Sequence, residues 1–416
     1  MDCFIIEGPS KVCGEIKVSG SKNSSLPVLF ATMLSDEKCV VENVPELVDI
    51  KTTYELLSYC GKECFFGFNR FEVSENKDIL TEAPYDLVRK MRASVLIAGP
   101  MLARFKKVRF SMPGGCEIGV RPIDIHLEGF RRLGADVRLE QGYVVMRAKK
   151  LKGAYIRFRF PSVGATENIM MAASLIDDVT VIENAAKEPE ISDLADVLRK
   201  MGAKISGDGT DIIKIRGAKK LKGFSHSVIP DRIEASTFAI LAAMCGELVI
   251  KDAYKDNILC VLRKLSKSGA DISMDENSIR VKKVRDIKPV SITTKPYPGF
   301  PTDLQAQWMA YMCYANGRSV INEKIFENRF MHVPELLRMG ADIKVLGGRA
   351  YVNGVKRLMG ATVMVSDLRA GAGLVLAACA AHGVSKIRRV YHIDRGYERL
   401  DEKLKSIGVK IRREEE

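Results

Sequence analysis

The sequence has few aromatic residues and lacks any apolar run long enough to cross a membrane. Phe, Trp and Tyr make up 7% of its 416 residues, with a single tryptophan. The longest apolar stretch, residues 370–383, is shorter than the ~20 residues that span a bilayer. The first residues, MDCFIIEGPSK, carry neither the basic region nor the apolar run of a secretion signal. We therefore expect a soluble protein of the cytoplasm.

The ten cysteines include no CxxC pair, and no Cys and His residues have the spacing of a zinc site. Most of them lie in apolar segments, where a reduced cysteine packs as a small hydrophobic residue. Cys116 differs, because it lies among glycines and charged residues in PGGCEIGVRP, residues 113–122. We expect a reactive thiol at Cys116 and no metal site.

One phrase recurs six times along the chain: an amphipathic helix that ends in glycine, followed by an alternating strand. These glycines, spaced 67 to 73 residues apart, are Gly61, Gly134, Gly202, Gly269, Gly340 and Gly408. Each repeat also contains a helix that is apolar on most faces and rich in small residues, such as EASTFAILAAMC at 234–245. The steady period predicts six equivalent repeats, each running helix, strand, helix, strand, strand.

These repeats predict an α/β protein with sheets outside and the small-residue helices inside. We expect three repeats in each of two domains, with a cleft between the domains. We assign residues 1–20 and 230–416 to one domain and residues 21–229 to the other, so that the chain crosses twice. Pro230 interrupts the pattern at this boundary.

Four basic residues stand at or just before the apolar helices: Lys22, Arg92, Arg232 and Arg369. A helix N-terminus carries partial positive charge, so a cation there costs about 0.3–1 kcal/mol. A bound anion would offset that cost, although each side chain could equally extend into solvent. In the fifth repeat the same place holds Thr302 and Asp303, either of which could be a simple N-cap.

The loops before the amphipathic helices form a second recurrent position. They contain Cys116 with Arg121, Lys187 with Glu188, Arg329, and Arg395. If these loops open onto one cleft, cations about 4 Å apart would repel by up to ~4 kcal/mol at an effective dielectric constant of 20. The expected ligand therefore carries several negative charges. Glu188 could be a surface acid or could fasten its loop.

Motifs along the whole chain carry a resemblance. They include GSKNSSLP at 20–27, MRASVLIAGPMLARF at 91–105, PGGCEIGVRPIDIH at 113–126, FPTDLQAQ at 300–307 and YHIDRGYERL at 391–400. They resemble the UDP-N-acetylglucosamine enolpyruvyl transferase family, also called 1-carboxyvinyltransferases. The resemblance implies a two-domain inverted, or inside-out, α/β barrel built from six repeated units.

The resemblance also implies an activity. The enolpyruvyl group of phosphoenolpyruvate would move to the C3 hydroxyl of UDP-N-acetylglucosamine with release of phosphate, the first committed step of peptidoglycan synthesis in bacteria. It implies no cofactor, no metal, no nucleic-acid or membrane partner, and a monomer or weak homo-oligomer. Fosfomycin, an epoxide mimic of phosphoenolpyruvate, would alkylate the cysteine of the PGGC loop.

Residue roles follow from the same resemblance. Cys116 would be the general acid and the site of a covalent adduct, and Asp303 would take the proton of the sugar hydroxyl. Phosphoenolpyruvate would be bound by Lys22, Asn23, Arg121 and Arg395. The nucleotide sugar would be bound by Arg92, Arg121, Pro122, Ile123, Asp124, Ile125, Ser162, Val163, Gly164, Asp303 and Ile325. Charged residues that support the site would be Asp49, Arg329, Asp367 and Arg369.

Two positions depart from the family pattern, and two other functions stay open. Phe160 stands where some members have a lysine near the nucleotide, and Leu96 where some have an aromatic residue. The nearest enzymatic alternative is enolpyruvyl-shikimate-phosphate synthase, which lacks a PGGC loop. The net charge of +13 suggests instead a protein of related repeat fold that binds RNA ends, but such binding predicts exposed aromatic residues among the basic ones.

Overall fold

The computed structural model of the protein describes residues 2–75, 78–112 and 122–415. Cys116 and Arg121 therefore lie outside the described residues. The chain forms two units: one holds residues 2–19 and 230–415, and the other holds residues 20–112 and 122–229. Each unit has its own hydrophobic core. No helix in the described part of the chain has the length and apolar character needed to cross a membrane.

Each unit contains three four-stranded sheets. In the unit of residues 20–229 the strands are Cys39–Glu42, Lys62–Gly67, Arg70–Glu75, Glu82–Ala83, Lys107–Ser111, Asp136–Glu140, Tyr143–Arg147, Tyr155–Arg157, Val179–Glu183, Lys204–Ser206, Ile212–Arg216 and Ser225–Ser227. In the other unit they are Asp2–Gly8, Glu15–Lys17, Glu247–Lys251, Asp271–Met274, Ser278–Lys282, Ile292–Thr293, Arg318–Asn322, Asp342–Leu346, Arg349–Asn353, Thr362–Met364, Gly383–Arg388 and Lys410–Glu415.

All six sheets follow one pairing rule. In one of them, Tyr155–Arg157 lies parallel to Val179–Glu183, which pairs antiparallel with Ile212–Arg216, and that strand pairs antiparallel with Lys204–Ser206. The sequence predicted three of these strands in each repeat but not the short first one. Two or three residues are too few to show the alternation by which a strand is recognised.

Strands from outside a repeat complete three of the sheets. Asp2–Gly8 inserts between Gly383–Arg388 and Lys410–Glu415, and Glu15–Lys17 lies parallel to Glu247–Lys251. In the other unit, Ser225–Ser227 lies parallel to Cys39–Glu42. Along the described residues, the chain therefore passes from one unit to the other twice, after residue 19 and after residue 229.

Two classes of helix occur, as the sequence predicted. The buried helices are Lys22–Ala31, Ala98–Phe105, Val163–Ala173, Arg232–Cys245, Gln305–Met312 and Leu368–Ala380, and 3-10 turns adjoin three of them at Thr32–Leu34, Arg92–Ile97 and Thr302–Leu304. The amphipathic helices are Val48–Tyr59, Asp124–Arg132, Pro189–Met201, Lys255–Lys267, Val333–Arg338 and Leu400–Ser406. A short helix Tyr85–Val88 and a 3-10 turn Val390–Arg395 complete the described helical segments.

The six recurrent glycines all have positive φ, between 89° and 117°. An L-residue with a side chain rarely adopts this conformation, so the prediction that each amphipathic helix ends at its glycine is confirmed.

Small residues allow the buried helices to pack closely. A Cβ added to Gly373 would lie 2.8 Å from the backbone carbon of Ala306, and one added to Gly99 would lie 2.4 Å from the carbonyl oxygen of Asn168. One such contact lies in each unit, which confirms that the small residues permit close helix approach.

Candidate active site

The four recurrent cations stand where the sequence predicted. Lys22, Arg92 and Arg232 are the first residues of their helical segments, and Arg369 is the second residue of Leu368–Ala380. Lys22 and Arg369 are bound by carboxylates of the protein. Lys22 Nζ lies 3.0 Å from Asp49 Oδ2, and Arg369 contacts Asp303. Part of the charge at these helix starts is therefore balanced by the chain itself.

Asp303 lies between two buried guanidinium groups. Its Oδ1 is 3.1 Å from Arg329 Nη2, and its Oδ2 is 3.2 Å from both Nε and Nη2 of Arg369. The side chains of Arg329 and Arg369 are only 6% and 4% exposed, whereas that of Asp303 is 28% exposed. The arginines thus fix a carboxylate that a ligand can still reach.

The N-cap alternative for Thr302 and Asp303 is wrong. The N-cap positions of the 3-10 turn and of the following helix are Pro301 and Leu304, and neither makes a side-chain capping bond. The Thr302 hydroxyl instead donates to Glu323 Oε2 at 2.9 Å. Both side chains are therefore engaged in tertiary contacts.

Arg369 is held by its neighbours in a charged state. Burial alone lowers its pKa, but the nearby Asp303 carboxylate, with Tyr397 and Asp231, raises the pKa of Arg369 above its usual value. Asp367 caps the helix, because its Oδ1 accepts from the backbone N–H of Arg369 at 2.9 Å. Arg369 Nη1 is buried and has no hydrogen-bond partner among the described residues. A bound acceptor at that atom would remove the cost of an unpaired donor.

Glu323 fixes the loop that carries Ile325, a role that is not apparent from the amino-acid pattern. Its Oε1 accepts from Thr294 Oγ1 at 2.7 Å and from the backbone N–H groups of Ile325 and Phe326 at 2.8 and 3.2 Å. Its Oε2 accepts from Thr302, the residue before Asp303. This buried carboxylate therefore joins the Ile325 loop to the chain that holds Asp303.

His332 is a second buried polar group whose surroundings were not apparent from the sequence. It is 2% exposed, and burial is the main reason that its pKa is lowered to about 4, with Arg329 lowering it further and Asp367 opposing. His332 is therefore uncharged at neutral pH. Its Nε2 has no hydrogen-bond partner within the described chain.

Arg395 lies in the same unit as Asp303, at the end of the 3-10 turn Val390–Arg395. The turn packs on the start of the helix that carries Arg369: a Cβ added to Gly396 would lie 2.5 Å from Leu368, and one added to Gly371 would lie 2.6 Å from Ile393. The structure thus brings the turn that ends in Arg395 to the N-terminus of the Arg369 helix.

In the unit of residues 20–229, three segments predicted to bind the nucleotide sugar meet at Asn168. Asn168 Nδ2 donates to the carbonyl of Val95, in the turn that begins at Arg92, and lies 3.0 Å from His126 Nδ1. Asn168 itself belongs to the helix Val163–Ala173. Because Asn168 is fully buried in that helix, its polar role was not apparent from the sequence.

The two helix starts of this region also touch. A Cβ added to Gly164 would lie 3.2 Å from His126 Cε1, and the Ser162 hydroxyl caps its helix by accepting from the N–H of Ala165. Asp124, the first residue of the other helix, contacts Arg159. Pro122 is exposed, Ile123 is buried, and Ile125 and Val163 are half-buried.

The two departures from the family pattern have different surroundings. Phe160 is 41% exposed, whereas Leu96 is buried at 3%. A substitution at position 96 therefore affects core packing, and one at position 160 affects the surface beside Ser162.

Lys22 and Asn23 begin a helix whose first turn is anchored by hydrogen bonds among buried polar residues. The Ser24 hydroxyl donates to Asp193, and Asp193 Oδ1 lies 2.8 Å from His226 Nε2. Ser24, Asp193 and His226 are at most 8% exposed. These hydrogen bonds fix the helix start that places Lys22 beside Asp49.

Three acids lie close together near the start of the helix Pro189–Met201. Burial, reinforced by Glu190 and Glu188, raises the pKa of Glu167 well above its usual value. Glu188 is 9% exposed and accepts from the backbone N–H of Lys187 at 3.0 Å, so it fastens its loop rather than acting as a surface acid. No three of the described His, Cys, Asp and Glu residues are arranged to hold a metal ion.

Comparison with known proteins agrees with these features. Residues 6–404 match the family model of EPSP synthase (3-phosphoshikimate 1-carboxyvinyltransferase). The chain is 53% identical to the UDP-N-acetylglucosamine 1-carboxyvinyltransferase of Endomicrobium trichonymphae over 99% of both chains. It is 51% identical to the protein of that name from Geobacter metallireducens over the full length of both.

Solved structures show the same fold. The enolpyruvyl transferase NikO from Streptomyces tendae superimposes with a TM-score of 0.89 at 25% identity, covering 99% of this chain and 98% of that one. EPSP synthase from Acinetobacter baumannii superimposes over the full length of both chains with a TM-score of 0.78 at 17% identity, a likeness of fold alone. The enolpyruvyl transferase fold expected from the sequence is confirmed.

Proposed function

The chain belongs to the carboxyvinyltransferase family, and we propose that it transfers the enolpyruvyl group of phosphoenolpyruvate to the C3 hydroxyl of UDP-N-acetylglucosamine, releasing phosphate. Relatives that are about half identical over their full length carry the name of this activity. In the structure, the observation that supports it most directly is the accessible carboxylate of Asp303 fixed between Arg329 and Arg369.

Asp303 is proposed as the general base. The C3 hydroxyl gives its proton to the Asp303 carboxylate while its oxygen bonds to C2 of phosphoenolpyruvate, and Cys116 delivers a proton to the terminal carbon. The resulting tetrahedral intermediate loses phosphate and a proton from the new methyl group, which restores the double bond. Cys116 is also proposed as the site of a covalent adduct with phosphoenolpyruvate.

The cations are proposed to bind the charges of the substrates. Lys22, Arg121 and Arg395, with Asn23, would bind the phosphate and carboxylate of phosphoenolpyruvate. Asp49 supports this role for Lys22, because a buried carboxylate 3.0 Å away fixes the ammonium group at its helix start. Charge-assisted hydrogen bonds from fixed cations stabilise developing negative charge without reorganisation during the reaction.

The nucleotide sugar is proposed to be bound by the residues that the family resemblance assigns to it. The contacts would be made by Arg92, Arg121, Pro122, Ile123, Asp124, Ile125, Ser162, Val163, Gly164, Asp303 and Ile325. The joining of three of these segments through Asn168 supports a shared binding surface for the nucleotide in the unit of residues 20–229. Glu323 would orient Ile325, and Arg329, Asp367 and Arg369 would support Asp303.

The proposal places the protein in the bacterial cytoplasm, at the first committed step of peptidoglycan synthesis, where it would contribute to cell-wall formation, cell shape and division. It would act as a monomer or weak homo-oligomer and be a target of fosfomycin. We expect fosfomycin to add one covalent adduct, detected by intact-mass spectrometry, to the wild-type protein and none to Cys116→Ala. Cys116→Asp should retain acid chemistry and escape the adduct.

The decisive experiment measures phosphate release with phosphoenolpyruvate and UDP-N-acetylglucosamine. Asp303→Asn should lower kcat by about 10²-fold or more, the scale on which loss of a general base acts. Asp342→Asn is the matched control, because Asp342 is an exposed carboxylate of the same unit and should leave kcat unchanged. Phosphate release with shikimate 3-phosphate but not with the nucleotide sugar would contradict the proposal. A gel shift with RNA at moderate salt, in the absence of any turnover, would also contradict it.

A further inference from the structure

A cavity of about 430 Å³ lies in the unit that carries Asp303. Cys260 and Lys264 of the amphipathic helix Lys255–Lys267 form one wall. The sheet that contains Ile292–Thr293 and Arg318–Asn322 forms the other. The volume falls within the range of about 300–1,000 Å³ that is usual for small-molecule sites.

Among the described residues, the charged side chains that line this cavity are all positive. They are Lys264, Lys295 and Arg349, and they lie together with hydroxyl and amide groups and with no described Asp or Glu. Lys264 Nζ donates to the carbonyl of Ser291 at 2.8 Å, and burial lowers its pKa. Within the described chain, neither Lys295 nor Arg349 forms an ion pair with an acid. An anion in the cavity would be attracted by all three charges, of which Lys295 and Arg349 are exposed to solvent and Lys264 is half-buried.

The equivalent place in the other unit shows that the fold does not require this charge. A cavity of about 380 Å³ there is lined by Arg157 and Arg159 but also by Glu183 and Asp211. Arg157 and Glu183 are partners at the end of a parallel strand pair, as Thr293 and Asn322 are in the first cavity. An amide thus replaces a carboxylate at the end of the second strand, and the positive charge is left unbalanced.

We propose that the cavity lined by Lys264, Lys295 and Arg349 binds a small anion that bears a phosphate group. The guanidinium of Arg349 would bind two phosphate oxygens and the lysine ammonium groups the remaining charge. The site is a binding site additional to the proposed substrate contacts, and it stands on its own charges and volume whatever reaction the enzyme catalyses.

The cavity also adjoins the network that orients Asp303. Thr293 and Asn322 line it, and the residues that follow them, Thr294 and Glu323, are hydrogen-bonded at 2.7 Å. Glu323 in turn binds Thr302 beside Asp303. An anion in the cavity would therefore touch the two strand ends from which this network starts.

Alkylation of Cys260 provides a local test, because this half-buried thiol lines the cavity. The full-length protein is treated with iodoacetamide at increasing inorganic pyrophosphate, and modification of the Cys260 peptide is followed by mass spectrometry. The exposed Cys13 in the same digest reports general effects on the reagent. At a pyrophosphate concentration about ten times Kd, the modification rate of Cys260 should fall by about tenfold, while the rate at Cys13 stays constant.

Variants decide where the anion binds. Lys295→Ala combined with Arg349→Ala should abolish the saturable protection of Cys260, and Lys344→Ala should retain it, since Lys344 is an exposed cation of the same sheet outside the cavity. Sodium chloride at equal ionic strength measures screening alone. Protection that is absent at about 10 mM pyrophosphate, equal in the double variant, or fully reproduced by ionic strength would overturn the proposal. Pyrophosphate bound at the proposed substrate site would affect Cys260 equally in the wild type and in the double variant. Protection that is lost only in the double variant therefore comes from the cavity.

Discussion

Replacement of Glu323 tests whether a residue outside the predicted site positions Asp303. Glu323→Ala removes the acceptor of two backbone N–H groups and two hydroxyl groups, those of Thr294 and Thr302. Glu323→Gln keeps one oxygen that can still accept from the backbone groups but removes the charge. The two variants therefore separate the loss of geometry from the loss of charge.

The magnitudes follow from the number of donors left unpaired. A buried unpaired donor costs about 1–3 kcal/mol, and because such losses are not additive we expect Glu323→Ala to lower the free energy of unfolding by about 3–5 kcal/mol. Displacement of Asp303 by roughly 1 Å would lower kcat by about 100-fold. Glu323→Gln should cost about 1–3 kcal/mol, the difference between charge-assisted and neutral hydrogen bonds, and should lower kcat by a factor on the order of ten.

The assay is phosphate release at a temperature well below the unfolding transition of each variant, with KM for both substrates measured separately. A positioning role predicts a fall in kcat that Gln partly rescues, together with a rise in KM for the nucleotide sugar through Ile325. Glu247→Ala is the control, since Glu247 is a partly exposed carboxylate of the same unit that pairs with Arg280. A folded Glu323→Ala protein with kcat within about threefold of wild type would refute the argument, since a 1 Å displacement costs far more.

Three further predictions concern stability. Because burial and two neighbouring carboxylates raise the pKa of Glu167 in the folded state, the wild-type protein loses stability as pH rises from 4.5 towards that pKa. Glutamine does not titrate, so the Tm of Glu167→Gln should exceed that of the wild type between pH 5 and 8 but not below pH 5. Gly340→Ala should cost about 1–2 kcal/mol in denaturant unfolding because its φ is 89°, and Gly67→Ala, at ordinary φ, should cost less. Glu75→Ala should destabilise its unit by about 3–5 kcal/mol, because it leaves the ammonium of Lys62, 1% exposed, without its carboxylate.

The fold could be predicted largely because its signals are local and repeated. Each glycine such as Gly202 or Gly408 marks a turn through positive φ, a requirement that depends on the backbone at that residue alone. The short first strands could not be predicted in the same way. Ile292–Thr293 is a strand because Arg318–Asn322 lies parallel to it, and such pairing depends on residues more than twenty positions away.

The charged positions of the site could be predicted from the sequence, but the residues that orient them could not. Arg369 could be singled out because a cation near a helix start contradicts the helix dipole. Glu323 could not, because a single glutamate in a loop has the pattern of a surface acid, and its role arises only when Thr294, Thr302 and the Ile325 loop fold around it. Asn168 is a similar case, since a polar residue in an apolar helix reveals its partners only after the helices pack.

The carboxylates that bind Lys22 and Arg369 change what the cations at helix starts imply about a ligand. Unpaired cations at helix starts would require a ligand to offset their cost, yet Lys22 lies 3.0 Å from a buried carboxylate and Arg369 shares Asp303 with Arg329. Because these acids already stabilise the positive charge in the folded protein, affinity for an anionic substrate must come from donors that the acids leave over. Arg369 Nη1 is one such buried donor within the described residues. At Lys22 the carboxylate of Asp49 therefore serves to orient the cation, and Asp49→Asn should weaken substrate binding through lost orientation even though it increases the net positive charge.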